Sequence, residues 1–181
     1  MKITRKQMIE IVGNEVRTDK FLHYINEWLD TFKINTPLRV CHYIAQCCHE
    51  TDGLKYTKEL GKTQYFIKYE RGKLASQLGN TKLGDGPKYR GRGLIHITGR
   101  ANYQAYQNSG FCKGDIMNEP QLLEQPLGAV KSSMWWWWKH GCNDIADKDD
   151  VLALTKKVNG GTNGLESRKE WLAKAKKAFG I

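Results

Sequence analysis

The sequence has no long hydrophobic run. Its most apolar stretch, Met134 to Trp138, falls far short of the roughly 18 to 20 residues needed to span a bilayer, so no membrane helix is expected. An apolar segment near the start is also missing: MKITRKQMIEIVGNE is charged throughout and carries no secretory h-region. Synthesis in a cytoplasm is expected, and a target outside the membrane would need a separate route through it. The five cysteines, Cys41, Cys47, Cys48, Cys112 and Cys142, are odd in number and form no CxxC pair. This argues against a disulfide framework or a zinc knuckle, and reduced thiols are expected. The cluster Cys41, His42, Cys47, Cys48 and His49 lacks an i, i+4 pair of ligands, so neither a metal nor another cofactor is expected. The glycines of Gly84-Asp85-Gly86 and Gly91-Arg92-Gly93 are not followed by Gly-Lys-Ser/Thr, which leaves them as turn formers rather than a phosphate loop. No internal repeat or low-complexity linker is visible.

What is present fits one domain, 1–181, arranged as two lobes around a cleft. A chain of 181 residues with 40% hydrophobic and 27% charged residues can bury a core without staples. Its formal charge of +10 implies attraction to a polyanion, whether nucleic acid, anionic lipid or an acidic bacterial envelope. Because the basic residues are dispersed and no helix-turn-helix or related module occurs, nucleic acid is not expected as a partner.

Helical signals dominate. Thr4-Arg5-Lys6-Gln7 has capping-box spacing ahead of Met8, Ile9 and Val12, with Gly13 as a stop. From Asp19, the residues Phe21, Ile25, Trp28, Leu29 and Phe32 mark one face of an amphipathic helix. Thr36-Pro37 reads as N-cap and N1 of a third helix running to about Glu50. Further helices are expected over Ala129 to His140, after a cap at Asp149 or Asp150, and over Glu166 to Phe179. The four tryptophans 135–138 suggest a sugar-stacking platform, but core packing is the favoured reading: consecutive helical residues point around most of the circumference, so one or two reach a cleft or surface while the others are buried. Between Thr51 and Arg92 the period is lost, and turns, loops and small strands are expected. Gly93 to Thr98 alternates like a half-buried strand, which would point His96 and Thr98 the same way.

Two carboxylates stand out. Glu50 falls near a helix C-terminus, where the negative end of the helix dipole and apolar neighbours disfavour ionisation, as suits a general acid. Glu59 lies among Lys55, Lys58 and Lys62, which favour an ionised base. An acid for the leaving oxygen and a base for water is what glycoside hydrolysis needs, although surface glutamates are common and Glu70 is an alternative base. A hydroxyl at Thr98 near the base would hold the attacking water.

Several stretches carry a resemblance: Cys48-His49-Glu50-Thr51, Leu78-Gly79-Asn80-Thr81, Gly84-Asp85-Gly86, Tyr89 through Tyr103, and Val158 through Leu165. In this order they resemble glycoside hydrolase family 19, and most closely its compact branch of bacterial chitinase-like proteins and phage endolysins. The resemblance implies a mainly α, lysozyme-like helical fold with a small β element and a substrate cleft, and hydrolysis of β-1,4 links with inversion. It implies Glu50 as general acid, Glu59 as general base and Thr98 as water holder. His96, Asn102, Tyr103, Asn159 and Arg168 fall where the family contacts sugar, His96 replacing the usual glutamine and adding a titratable group.

The expected activity is that of a peptidoglycan-degrading endolysin. It would be a monomer drawn to an anionic cell envelope, made in a host cytoplasm and reaching the wall after a separate holin opens the membrane. A chitinase acting on chitin oligomers is the alternative enzyme, and a non-catalytic basic wall-binding module the alternative of another class. No separate wall-binding domain is expected.

Overall fold

The computed structural model describes residues 1–181. Its helices in chain order are α1 (Arg5–Val12), α2 (Glu15–Trp28), α3 (Pro37–Thr51), α4 (Thr63–Phe66), α5 (Gly72–Leu78), α6 (Asp85–Lys88), α7 (Arg100–Gln107), α8 (Pro126–Lys139), α9 (Cys142–Ala146), α10 (Val151–Asn159) and α11 (Leu165–Phe179), with 3-10 turns at Ile67–Glu70 and Pro120–Glu124. The chain is mainly α-helical. Its β element is reduced to two isolated antiparallel bridges, Lys58 with Arg92 and Arg92 with Ile97. No helix is long and apolar enough to cross a membrane.

Two compact units are distinguished, one of residues 1–55 and 134–181, the other of residues 56–133. In the first, α3 packs chiefly on α11, with α1 against α2 and α11. The local starts are as read from sequence. Thr4 makes the reciprocal capping box with Gln7, and Gly13 closes α1 in the left-handed conformation. Thr36 caps α3 with Pro37 in its first turn, and Asp150 caps α10 by accepting from Ala153 N. Helix α2 begins earlier than its apolar stripe, because Asn14 supplies the cap, and α8 likewise begins at Pro126 rather than Ala129. Phe21, Ile25, Leu29, Phe32, Ile44 and Trp137 are fully buried. Trp135 is buried as well, whereas Trp136 stacks on His140 and Trp138 is 42% exposed. Burying apolar side chains of this size contributes about 1.5–3 kcal/mol each.

The second unit differs from the sequence expectation in two places. The stretch after Thr51, expected as turns, loops and small strands, holds the short helices α4, α5 and α6 among its turns, with Lys58 in a single bridge to Arg92. The segment 93–98 is a closed turn and not a strand. Arg92 N donates to Ile97 O at 3.2 Å and Ile97 N to Arg92 O at 2.8 Å, while Gly93 and His96 both take positive φ. The apolar residues of this segment do not alternate, for Leu94, Ile95 and Ile97 are all buried. The backbone N–H groups of Leu94 and Ile95 both donate to Ser133 Oγ, at 2.6 and 3.2 Å, so a buried hydroxyl from α8 takes the place of a neighbouring strand.

Four of the five thiols are buried and none is in a disulfide; Cys112 is partly exposed. Burial pushes the Cys41 thiol up to about 11 and those of Cys48 and Cys142 up to about 12.

Candidate active site

In the first unit the carboxylate of Glu50 is bound by the guanidinium of Arg168 on α11. Arg168 is 1% exposed and also donates to Gln46 Oε1. Gln46 and Glu50 lie one turn apart on the same face of α3, so a single planar fork grips both. The helix end at Glu50 was legible in the sequence; the guanidinium on its carboxylate, 118 residues further along the chain, was not. Gln46, fully buried, was not foreseen from the sequence.

His49 lies beside this pair. Its Nδ1 meets Ser167 Oγ at 2.9 Å, and burial together with the Arg168 charge lowers its pKa, against the Glu50 carboxylate. Its ring packs on Gly164, the residue preceding α11. Gly164 has φ +76°, and a Cβ there would lie 2.3 Å from the imidazole. Asn159, at the end of α10, is exposed.

In the second unit Glu59 is held by two donors. Tyr69 donates its hydroxyl to Oε1 at 2.7 Å, and Gly91 N donates to Oε2 at 3.3 Å. The backbone returns the contact, with Glu59 N on Gly91 O at 2.8 Å. Burial, followed by the bond to Glu59, raises the pKa of the Tyr69 phenol, which therefore stays a donor. Tyr69 carried no recognisable signal in the sequence. Of the three lysines expected around Glu59, two are paired elsewhere: Lys58 with Glu124 at 3.2 Å and Lys55 with Asp52 at 3.6 Å. Glu70 accepts from Gly86 N at 2.9 Å and fastens the start of α6.

Glu59, His96 and Thr98 meet around Gly91. A Cβ at that position would lie 2.9 Å from His96 Cβ, 3.2 Å from Thr98 Oγ1 and 3.3 Å from Glu59 Cβ. The absent side chain is what lets the three approach. Thr98 donates its hydroxyl to His96 O at 2.8 Å, which leaves the oxygen's lone pairs as acceptors. Asn102 donates to Thr98 O at 2.8 Å and so braces the same turn. Tyr103 is fully buried; its hydroxyl donates to Arg90 O at 2.8 Å and accepts from Arg92 at 3.0 Å. That placement corrects the expectation of a sugar contact, for Tyr103 is a core residue beneath the Arg90–Arg92 backbone.

The remaining motif residues are structural. Asp85 accepts from Thr81 N and Lys82 N at 2.9 Å each and from Arg100 Nε at 2.8 Å. Burial opposes ionisation of Asp85, yet Arg100 and these N–H groups hold its carboxyl below the usual range. Buried Arg92 binds Glu124 Oε1 at 2.8 Å.

Comparison with known proteins agrees with these motifs. The family model for class I chitinases of glycoside hydrolase family 19 matches residues 33–154. A glycosyl hydrolase family 19 domain-containing protein of Haemophilus influenzae is 37% identical over 152 residues, 70% of this chain and 72% of that protein. Among solved structures, chitinase C from Streptomyces griseus superposes with a TM-score of 0.77 at 19% identity, over 99% of this chain and 77% of the other. A bacterial family 19 chitinase gives 0.76 at 20% identity, over 99% and 95%. At such identity the likeness speaks for the fold, which is the lysozyme-like, mostly helical one. With the family model spanning most of its length and a relative of this identity, the chain belongs to glycoside hydrolase family 19 and is a chitinase-like glycoside hydrolase.

Proposed function

We propose that this protein is an endolysin that hydrolyses β-1,4 bonds between the amino sugars of peptidoglycan, with inversion, Glu50 as general acid and Glu59 as general base. The observation that supports the reading most is the grouping of Glu59, Thr98 and His96 around Gly91. A water beside Thr98 donates one hydrogen to its Oγ and the other to the Glu59 carboxylate. Its lone pair is then free to attack the anomeric carbon as Glu59 takes the proton. Glu50 delivers a proton to the departing glycosidic oxygen, and Arg168 stabilises the carboxylate that remains. His96, Asn159 and, through the turn it braces, Asn102 orient the sugar. Neither step requires a cofactor.

The net charge of +10 favours the anionic wall over neutral chitin as the substrate. In this reading the chain acts as a monomer on the envelope after a separate holin has opened the membrane. Chitin oligomers are the second candidate, supported by the chitinases among its structural neighbours.

Purified sacculi and soluble chitin oligomers should be digested in parallel and the products analysed by mass spectrometry. New reducing ends from sacculi, lost by 10²-fold or more in Glu50→Gln and Glu59→Gln, are expected. Turnover of chitin alone would reject the wall as substrate, and undiminished turnover in Glu50→Gln would reject the mechanism. Inversion further requires the two carboxyl groups to stand about 6.5–9.5 Å apart in a crystal with a bound oligomer.

A further inference from the structure

Trp138 is the most exposed tryptophan of the 135–138 run and takes no part in the proposed chemistry. Trp138, 42% exposed, borders a concavity of about 300 Å³ together with Lys33, Arg39, Gly141, Asn143 and Asp144. Its indole meets the buried Phe32 ring at a tilt of 54°, with centroids 6.4 Å apart, which fixes the position of a large aromatic that is still 42% exposed. The surround is fixed too. Arg39 binds Asp147 at 2.8 and 2.6 Å and the carbonyl of Lys33 at 2.8 Å. Asn143 accepts from Trp137 Nε1 at 2.8 Å and donates to Phe32 O at 3.0 Å. The Lys33 ammonium and the Asp144 carboxylate take part in no hydrogen bond within the protein. A preformed concavity with an accessible aromatic and both a donor and an acceptor at its edge has the chemistry of a pyranose site. The apolar C–H face of a sugar covers the indole, and its hydroxyl and acetamido groups meet the charged side chains.

We propose that this concavity is a second, non-catalytic saccharide site that holds a strand of the amino-sugar polymer while another stretch is cut. The choice of amino sugar rests on the activity proposed above. Arg39 and Glu50 occupy opposite ends of α3, about 16 Å apart along the helix axis, so the site is separate from the proposed acid. Lys33 gives it a donor for acetamido carbonyls and for the carboxylates of a wall glycan. Tethering raises the local concentration of polymer and leaves the chemistry of a short substrate untouched.

The test is a ¹H–¹⁵N titration of the full chain with tri-N-acetylchitotriose, the Trp138 indole signal being assigned by its loss in Trp138→Phe. It is paired with co-sedimentation on sacculi and on insoluble chitin in a Glu50→Gln background. The expected results are a saturable shift of that signal and a several-fold loss of retention in Trp138→Ala and in the Lys33→Ala, Asp144→Ala double variant. With Glu50 intact, both variants should turn over soluble oligomers at the parental rate. An unmoved indole signal with unchanged retention overturns the proposal even if the parent cleaves glycan. A moving indole signal in a protein that cleaves nothing leaves the proposal standing and removes the activity assigned to Glu50 and Glu59.

Discussion

Arg168 on the last helix carries the charge that faces Glu50 on the third, although 118 residues separate them in the chain. Because Arg168 is buried and Glu50 remains 19% exposed, losing the guanidinium takes a buried cation away from a partly hydrated carboxylate. Arg168→Ala should cost about 3 kcal/mol of stability. Arg168→Lys keeps the charge but cannot fork to Gln46 and Glu50 together, so it should fold better and still lose about tenfold or more in kcat/KM. Denaturant melts alongside initial rates check both; a Lys variant with parental rates would show that the charge alone suffices.

Tyr69→Phe removes one of the two donors to Glu59. A hydrogen bond to a charged group contributes about 1.5–3 kcal/mol, and if that serves to aim the base, kcat should fall about ten- to a hundredfold with KM little changed. The measurement is steady-state kinetics on a soluble oligomer. An equal loss in Glu59→Gln and in the double variant is expected if the tyrosine works only through the glutamate.

Both of those partners illustrate what could be read in advance. The caps at Thr4, Thr36 and Asp150 were legible because a cap is decided within four residues. The turn at 93–98 was not, since the choice between strand and turn lay with Ser133 on another helix and with the left-handed backbone of His96. Tyr69 and Gln46 were invisible because a side chain's partner is settled by packing rather than by spacing. The glutamates were singled out by their motifs, yet two of the three lysines credited with the electrostatics of Glu59 pair with Glu124 and Asp52.

Gly164→Ala places a methyl where the His49 ring lies and forces alanine into a left-handed backbone. A loss on the order of 2–4 kcal/mol is expected. Combined with His49→Ala the clash disappears, so the double variant should be less destabilised than the sum of the singles by about 1–3 kcal/mol. Strict additivity in thermal or urea melts would argue against the contact.

Acid should weaken the fold in two stages. His42 is fully buried, and burial lowers its pKa against the pull of Asp149, which it meets at 2.8 Å; Lys176 acts with burial and Asp150 against it. Burial lowers His49 and His140 as well. The unfolded chain takes up these protons near pH 6.5, whereas the folded chain refuses them until the pH is lower. Stability is therefore full above about 6.5 and falls as the pH drops, by at most about 1.4 kcal/mol per unit for each histidine. The depressed carboxyls Asp85 and Asp149 extend the loss below about pH 4. Melts of the parent and His42→Leu between pH 8 and 5 should show a shallower decline in the variant; parallel curves would exclude His42 as a contributor.

With four of its five thiols sealed inside and none cross-linked, the molecule reaches its final form without an oxidant and does not come apart when a reductant is added. Cys112 alone offers itself to a reagent. A single fluorophore or spin label can therefore be attached at one known place without first deleting any cysteine, and binding to sacculi or to chitin can be followed by that tag.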